Sequence, residues 1–248
     1  MHTFHRPYGT YGHTATEMFE FSSDAKRVRR FLEDTFIRDG RGPTPVGIAA
    51  ALDLSQSATW DALWELERGV QVMFVPGTED IVKVPPFSNL PTRHRVEVDG
   101  EQRWYAGCAG ESCAINGLFP GRTVTIHSTC PDCWQPVEVV TRDRQLISVS
   151  PDTALMHWGV HARRFTDDWI VTCDSINFFR SPEHVAAWEA AVPERRGITM
   201  SVALGIATVE DIATQRYWNY DRGPDLALAE SLISRYRGLG VDVGAWET

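Results

Sequence analysis

The chain has 248 residues, 43% hydrophobic and 23% charged, with 24 Lys and Arg against 33 Asp and Glu, a formal charge of −9. That length can bury a core as one large or two small domains, and the composition excludes collagen-like and disordered classes. No apolar run reaches the roughly 18 residues of a membrane span, the polar and aromatic start over 1–12 lacks the apolar core of a secretory signal, and an acidic chain is a poor general binder of phosphate backbones; a cytoplasmic protein with no membrane partner is expected.

Residues 1–24 read as an N-terminal arm. Val28, Phe31, Leu32 and Phe36 then recur at three- to four-residue steps and share one helix face. Gly40-Arg41-Gly42-Pro43 stops that helix. Thr44 is placed to cap a second helix with Pro45 at its first position, and Ser55 or Ser57 to start a third that carries Trp60, Leu63, Trp64 and Glu67. Two short β-prone runs, 70–75 and 80–84, flank a turn at Pro76-Gly77. Three helices and a small hairpin over 25–84 predict a winged-helix-like module. A groove-reading helix favours Arg and Lys. The third helix instead carries Asp61, Glu65 and Glu67 against Arg68, while Lys26, Arg27, Arg29 and Arg30 lie on the first. DNA is therefore not an expected partner, and the module reads as a unit packed over a second domain.

Pro85, Pro86 and Pro91 mark a linker over 85–93. From 94 to 248 the pattern is β-rich with flanking helices, which makes the whole chain α+β with a mixed or antiparallel sheet. Runs at 94–98 and 102–105 flank Asp99-Gly100, a hairpin signal. A strand is expected at 123–127, a hairpin over 136–140 and 145–149, and a strand over 168–173 that ends on Cys173. Ser181-Pro182 opens a helix to Ala191, and further helices are expected at 208–217 and 225–237.

The chemistry lies in the cysteines: Cys108, Cys113, Cys130, Cys133 and Cys173. Without a secretory signal, disulfides are not expected, and the thiols point to metal binding, catalysis or burial. In Trp104-Tyr-Ala-Gly-Cys108-Ala-Gly-Glu111-Ser-Cys113 a strand runs into a Cys and a short helical segment. Glu111, three residues after Cys108, would share its helix face and could relay a proton at a group bound to the sulfur. Backbone N–H groups at such a helix start favour a thiolate. Read alone, the segment equally fits a buried thiol beside a solvated carboxylate. Cys130-Pro-Asp-Cys133 is a candidate zinc half-site. With Cys108 and Cys113 it could complete a four-thiolate zinc site, which would suit a zinc-containing transcription regulator.

Taken together, these residues resemble the organomercurial (alkylmercury) lyase family. Its first motif is matched by Tyr105-Ala-Gly-Cys108-Ala-Gly-Glu111, followed by Phe119-Pro120-Gly121-Arg122-Thr123, with Glu111 where the family has Asp. Its second is matched by Cys173-Asp-Ser-Ile-Asn-Phe178-Phe179 ahead of the Ser181-Pro182 helix start. A second register also fits, with Cys113 as the thiol and Asn116 at the carboxylate position. The resemblance covers roughly Lys26 to Tyr217. It implies a winged-helix-like module before a β-rich catalytic domain, and protonolysis of a carbon–mercury bond. Cys108 and Cys173 would hold the mercury of the substrate, and Glu111 would protonate the carbon. No organic cofactor would be needed, and an external thiol would remove Hg(II). A protein of the same fold that binds a metal or small thiol-reactive ligand without turnover is the competing expectation.

Overall fold

The computed structural model describes residues 20–75, 77–165, 169–213 and 228–247. Local capping chemistry sets the first three helices. Helix α1 (Ser23–Asp39) starts where the Ser22 side chain accepts the Ala25 N–H, and ends at Gly40, whose φ of 74° closes the last turn. Helix α2 (Pro45–Leu52) is capped by Thr44, with Pro45 in its first turn. Helix α3 (Gln56–Arg68) is capped by Ser55. Most of the expected arm, residues 1–19, lies outside the described residues.

A hairpin follows, β1 (Met73–Phe74) with β2 (Ile81–Val84). It does not stand free as a wing. Strand β2 pairs with β3 (Phe87–Ser88), which lies in the stretch expected as a linker, and β3 pairs with β5 (Glu101–Ala106). The prolines leave room for only two ladder residues between them, yet those two carry the sheet across the expected boundary. The antiparallel sheet has eight strands in the order β1-β2-β3-β5-β4-β6-β7-β8. Its remaining strands are β4 (His94–Val98), β6 (Thr123–Thr129), β7 (Pro136–Arg142) and β8 (Gln145–Ser150). Asp99 and Gly100, at φ 49° and 82°, form the β4–β5 turn, and Asp143 and Arg144, at 48° and 65°, turn β7 into β8. Two consecutive positive φ values match the twist of a tight hairpin.

Alternation along β4, β6 and β7 sends Val96, Val98, Val124, Ile126, Val137 and Val139 into the core. A second, three-stranded antiparallel sheet has the order β10-β9-β11, from β9 (Leu155–Trp158), β10 (Ile176–Phe179) and β11 (Ile198–Ser201). Between the two sheets sits α4 (Ala109–Ala114), with all six residues buried. It packs on β4, β5, β10 and α7 (Val202–Ala213). Helix α6 (Pro182–Ala191) starts at Ser181, and α8 (Leu228–Gly238) is followed by a 3-10 turn at Gly244–Trp246 near the end of the described residues. The expected helices at 208–217 and 225–237 fall partly outside the described residues.

One element differs in kind. The run 168–173, expected as a strand, forms helix α5 (Trp169–Ser175) over its described part, and the strand comes after it at Ile176–Phe179. Its Ile, Val and Thr favour a strand locally, but that preference is weak and yields to packing. Here Thr172 donates to the Phe165 carbonyl, ahead of the helix, at 3.1 Å and Ser175 to the Val171 carbonyl, one turn back, at 2.5 Å, so both hydroxyls have acceptors.

The helices are bolted to the sheet by buried polar groups. Trp104 Nε1 on β5 donates to the Phe36 carbonyl at 2.8 Å, and Phe36 stacks on Phe87 at 5.1 Å. Arg29, fully buried, donates to Gln71 Oε1 at 3.1 Å and to the Pro85 carbonyl at 2.7 Å, with Glu33 at 3.7 Å. Replacing Arg29 with Ala strands a buried carboxylate and carbonyl, and should lower unfolding free energy by about 3 kcal/mol or more, read from urea midpoints.

Candidate active site

Strand β5 ends at Ala106, and the chain passes through Gly107 into α4. Cys108 is the N-cap residue, and its Sγ accepts the Glu111 N–H at 3.3 Å, as a Ser or Asp oxygen would at this position. A turn further on, Glu111 folds its carboxylate back over Gly107. A Cβ at 107 would overlap that carboxylate and meet Lys83 Nζ at 2.9 Å. The glycine is therefore required by close approach: its absent side chain leaves the space that the Glu111 carboxylate and the Lys83 ammonium approach.

Cys173 arrives from α5, and its thiol lies 3.8 Å from Glu111 Oε2. Ligand atoms of Cys108, Glu111 and Cys173 all lie within 4.8 Å of one another, although 65 positions separate the two cysteines. Lys83, from β2, completes the group. It faces Cys173, Glu111 and Cys108 and hydrogen-bonds Cys173. All four residues are 7% exposed or less, so water barely screens them.

Burial dominates the electrostatics. It pushes the Cys108 thiol well above its usual pKa, helped by Cys173 and the Glu111 carboxylate and outweighing the backbone hydrogen bond from Glu111. The thiolate expected from a helix-start position is thus not the resting form of this residue. Burial also works against the Lys83 ammonium, but Cys173, Glu111 and Cys108 overcome it, and its pKa stands above the ordinary lysine value. The site thus holds the Lys83 ammonium beside Glu111, Cys108 and Cys173, with burial keeping the proton on the Cys108 thiol until something replaces it.

A cavity of about 270 Å³ lies against this group, lined among others by Lys83, Arg93, His94, Gly107, Ile170 and Cys173. Arg93 lies 4.0 Å from Asp174 and over the Trp134 ring at 5.7 Å. His94 is buried, with Nδ1 3.1 Å from Ser128 Oγ and a hydrogen bond to Asn177. Burial, with the Arg93 and Lys83 charges, pushes its pKa down to about 3.

The remaining sequence candidates lie elsewhere. Cys113 is buried on α4, its thiol pushed up to about 12 by burial, and it joins neither ligand group. Asn116 is spent on structure: its Oδ1 accepts the Arg144 N–H at 2.5 Å. The second register therefore has no thiol–carboxylate pair. The four-cysteine zinc set does not assemble either. Among the described residues, Cys108 groups with Glu111 and Cys173, and Cys130 and Cys133 group with His184, because α4 and the β6–β7 turn carry the two halves apart. Sequence reasoning missed Lys83, His94 and His184. A lone lysine in a strand that is otherwise Ile-Val-Val was the one local signal for Lys83.

A buried dithiol with an adjacent carboxyl and ammonium, set in an α+β fold, offers the donor set that soft metal ions prefer. The sequence profile of the alkylmercury lyase family (MerB) matches residues 87–214, which is 128 of the 248 residues. The chain belongs to the alkylmercury lyase family. It is 34% identical over 105 residues to an alkylmercury lyase of Staphylococcus epidermidis, covering 42% of this chain and 47% of that protein. It is 30% identical over 98 residues to one from Streptomyces lividans, covering 40% and 44%. The chain thus spans about half the length of the curated relatives it matches. Its fold is similar to the crystal structure of the mercury-bound form of MerB2, with a TM-score of 0.61 at 20% identity over 79% of this chain and 92% of that one.

The neutral, buried His94 makes a pH prediction. Its folded pKa of about 3 lies below the ordinary 6.5, so unfolding takes up a proton below pH 6.5. The stability it lends is complete above 6.5 and is lost as pH falls toward 3. Between pH 7 and pH 5 the loss should be roughly 2 kcal/mol. Urea midpoints of His94→Gln should fall less over that interval than those of the unaltered protein.

Proposed function

We propose that this chain cleaves the carbon–mercury bond of an organomercurial by protonolysis, with Cys108, Cys173 and Glu111 as its catalytic residues. The observation that carries the reading is the convergence of two thiols and a carboxyl, from separate segments, within 4.8 Å beside a cavity.

The atoms balance without an organic cofactor. One thiol, losing its proton to solvent, displaces the substrate's exchangeable ligand. The second passes its proton to Glu111 as its sulfur bonds the metal; the Cys173 thiol already points at Oε2. Glu111 then gives that proton to carbon, the carbon–mercury bond breaks, the hydrocarbon leaves, and Hg(II) stays on the two thiolates until an external thiol removes it. Soft mercury favours thiolate strongly enough to drive both deprotonations despite burial. Lys83 stabilises the anions formed on the way. The longer Glu, in place of the family's Asp, is supported by Gly107, whose missing side chain leaves the carboxylate room to fold back toward the sulfurs. The helical module serves to cover the sheet and contributes Lys83 through its hairpin, with DNA as no partner of it.

Incubation with phenylmercury and excess thiol tests this, with benzene measured in the headspace. Benzene is expected from the unaltered protein. Glu111→Gln should retain mercury and lose turnover about 100- to 10,000-fold, and Cys108→Ser should lose both. Stoichiometric mercury binding with no benzene would make the chain a binding protein of this fold. Normal turnover by Glu111→Gln would move the proton donor elsewhere.

A further inference from the structure

A second soft-ligand group shares no residue with the one above. Cys130 and Cys133 lie in the turn joining β6 to β7, and His184 lies in the first turn of α6. One ligand atom from each falls within 4.8 Å of the others. All five cysteines are free thiols, so this pair is available as a dithiol. The turn has the form that presents two sulfurs on one side. Trp134 N–H returns to the Cys130 carbonyl at 3.0 Å, Cys130 N–H bonds the Gln135 carbonyl at 3.0 Å, and Trp134 takes a positive φ of 58° to close the loop.

The imidazole is also set for a metal. His184 Nδ1 lies 2.6 Å from Asp132 Oδ2, a residue inside the same Cys-x-x-Cys loop. A carboxylate accepts only, so Nδ1 carries the hydrogen, and a metal would take the neutral ring at Nε2. A carboxylate behind a ligating histidine is the usual outer support of a zinc site.

We propose that Cys130, Cys133 and His184 bind a zinc ion, with Asp132 orienting the imidazole and water in the fourth position. Two thiolates and one imidazole are a zinc donor set, and a hard cation such as magnesium or calcium would not choose it. The ion would be a staple. It would tie the β6–β7 turn of the large sheet to α6, which follows directly on α5 and β10, the segment that delivers Cys173. Arg180, between β10 and α6, already reaches the start of β7, where that turn ends, through the Pro136 carbonyl at 2.8 Å. Trp134, next to Cys133, stacks with Arg93 at the cavity. The staple therefore bears on the active-site wall without entering the chemistry.

The test is metal content of the full chain, purified without chelator and dialysed against buffered zinc. About one zinc per chain is expected in the unaltered protein, and the same in Cys108→Ser/Cys173→Ser, which removes the other dithiol. Cys133→Ser and His184→Ala, both at partly exposed positions, should lose it while keeping the far-ultraviolet circular dichroism of the fold. Cobalt in place of zinc should give thiolate charge-transfer and tetrahedral d–d absorption that vanish in the same two variants. Asp132→Asn should weaken zinc binding about 10- to 100-fold. A zinc-free unaltered protein, or zinc that persists in Cys133→Ser and disappears with Cys108 and Cys173, would overturn the proposal.

Discussion

A buried ammonium set against two thiols and a carboxyl is the interaction the rest of the molecule is arranged around. Neither partner tolerates burial alone, and removing one side of such a group leaves an uncompensated charge in a low-dielectric interior. The antiparallel register Lys83↔Ser88↔Tyr105 carries the lysine across β2, β3 and β5 to the edge of Gly107. Lys83 is thereby fixed relative to the start of α4 by ladder hydrogen bonds, not by its own flexible stem. The expected boundary at 85–93 would have placed this lysine in a different domain from the thiols it faces.

The second requirement is close packing of small residues. Helix α4 reads Ala109, Gly110, Glu111, Ser112, Cys113, Ala114, and five small side chains around the one long Glu111 let it lie buried against the large sheet, β10 and α7 together. Gly110 shows the tolerance: a Cβ there would meet Val209, Cys108 Sγ and Trp158 at 3.5–3.8 Å, ordinary contact distances. Gly107, three residues earlier, has no such slack. Two glycines of one segment thus answer to different constraints, one to general packing and the other to a specific pair of charged atoms.

What could be read from the sequence was local. Ser55 and Thr44 as caps, Gly40 as a stop and the Asp99-Gly100 hairpin depend on neighbours a few positions away, and the structure places each as expected. The strand misread at 168–173 shows where local preference stops: a β-branched run forms a helix over its described part, with the Thr172 hydroxyl bonded to the Phe165 carbonyl. The pairing of Cys108 with Cys173 came from a family resemblance, since no spacing rule joins residues so far apart. His94 and His184 were not legible, and Lys83 only as a lone lysine in an apolar strand. Each acquires its chemistry from partners on other elements, and an isolated Lys or His in a strand or helix carries no mark of what will face it.

The two sulfurs of the candidate site rest on separate foundations, Cys108 on the start of α4 and Cys173 on α5 leading into the small sheet. No single stretch of backbone sets the gap between them. It is a mechanical property of the seam where α4 packs on β10, like the opening of a jaw whose halves are mounted on different frames. Changes of side-chain volume along that seam would widen or narrow the grip while leaving both cysteines in place. The span of the jaw, and with it the coordination geometry imposed on whatever it holds, can drift under selection independently of the residues that do the holding.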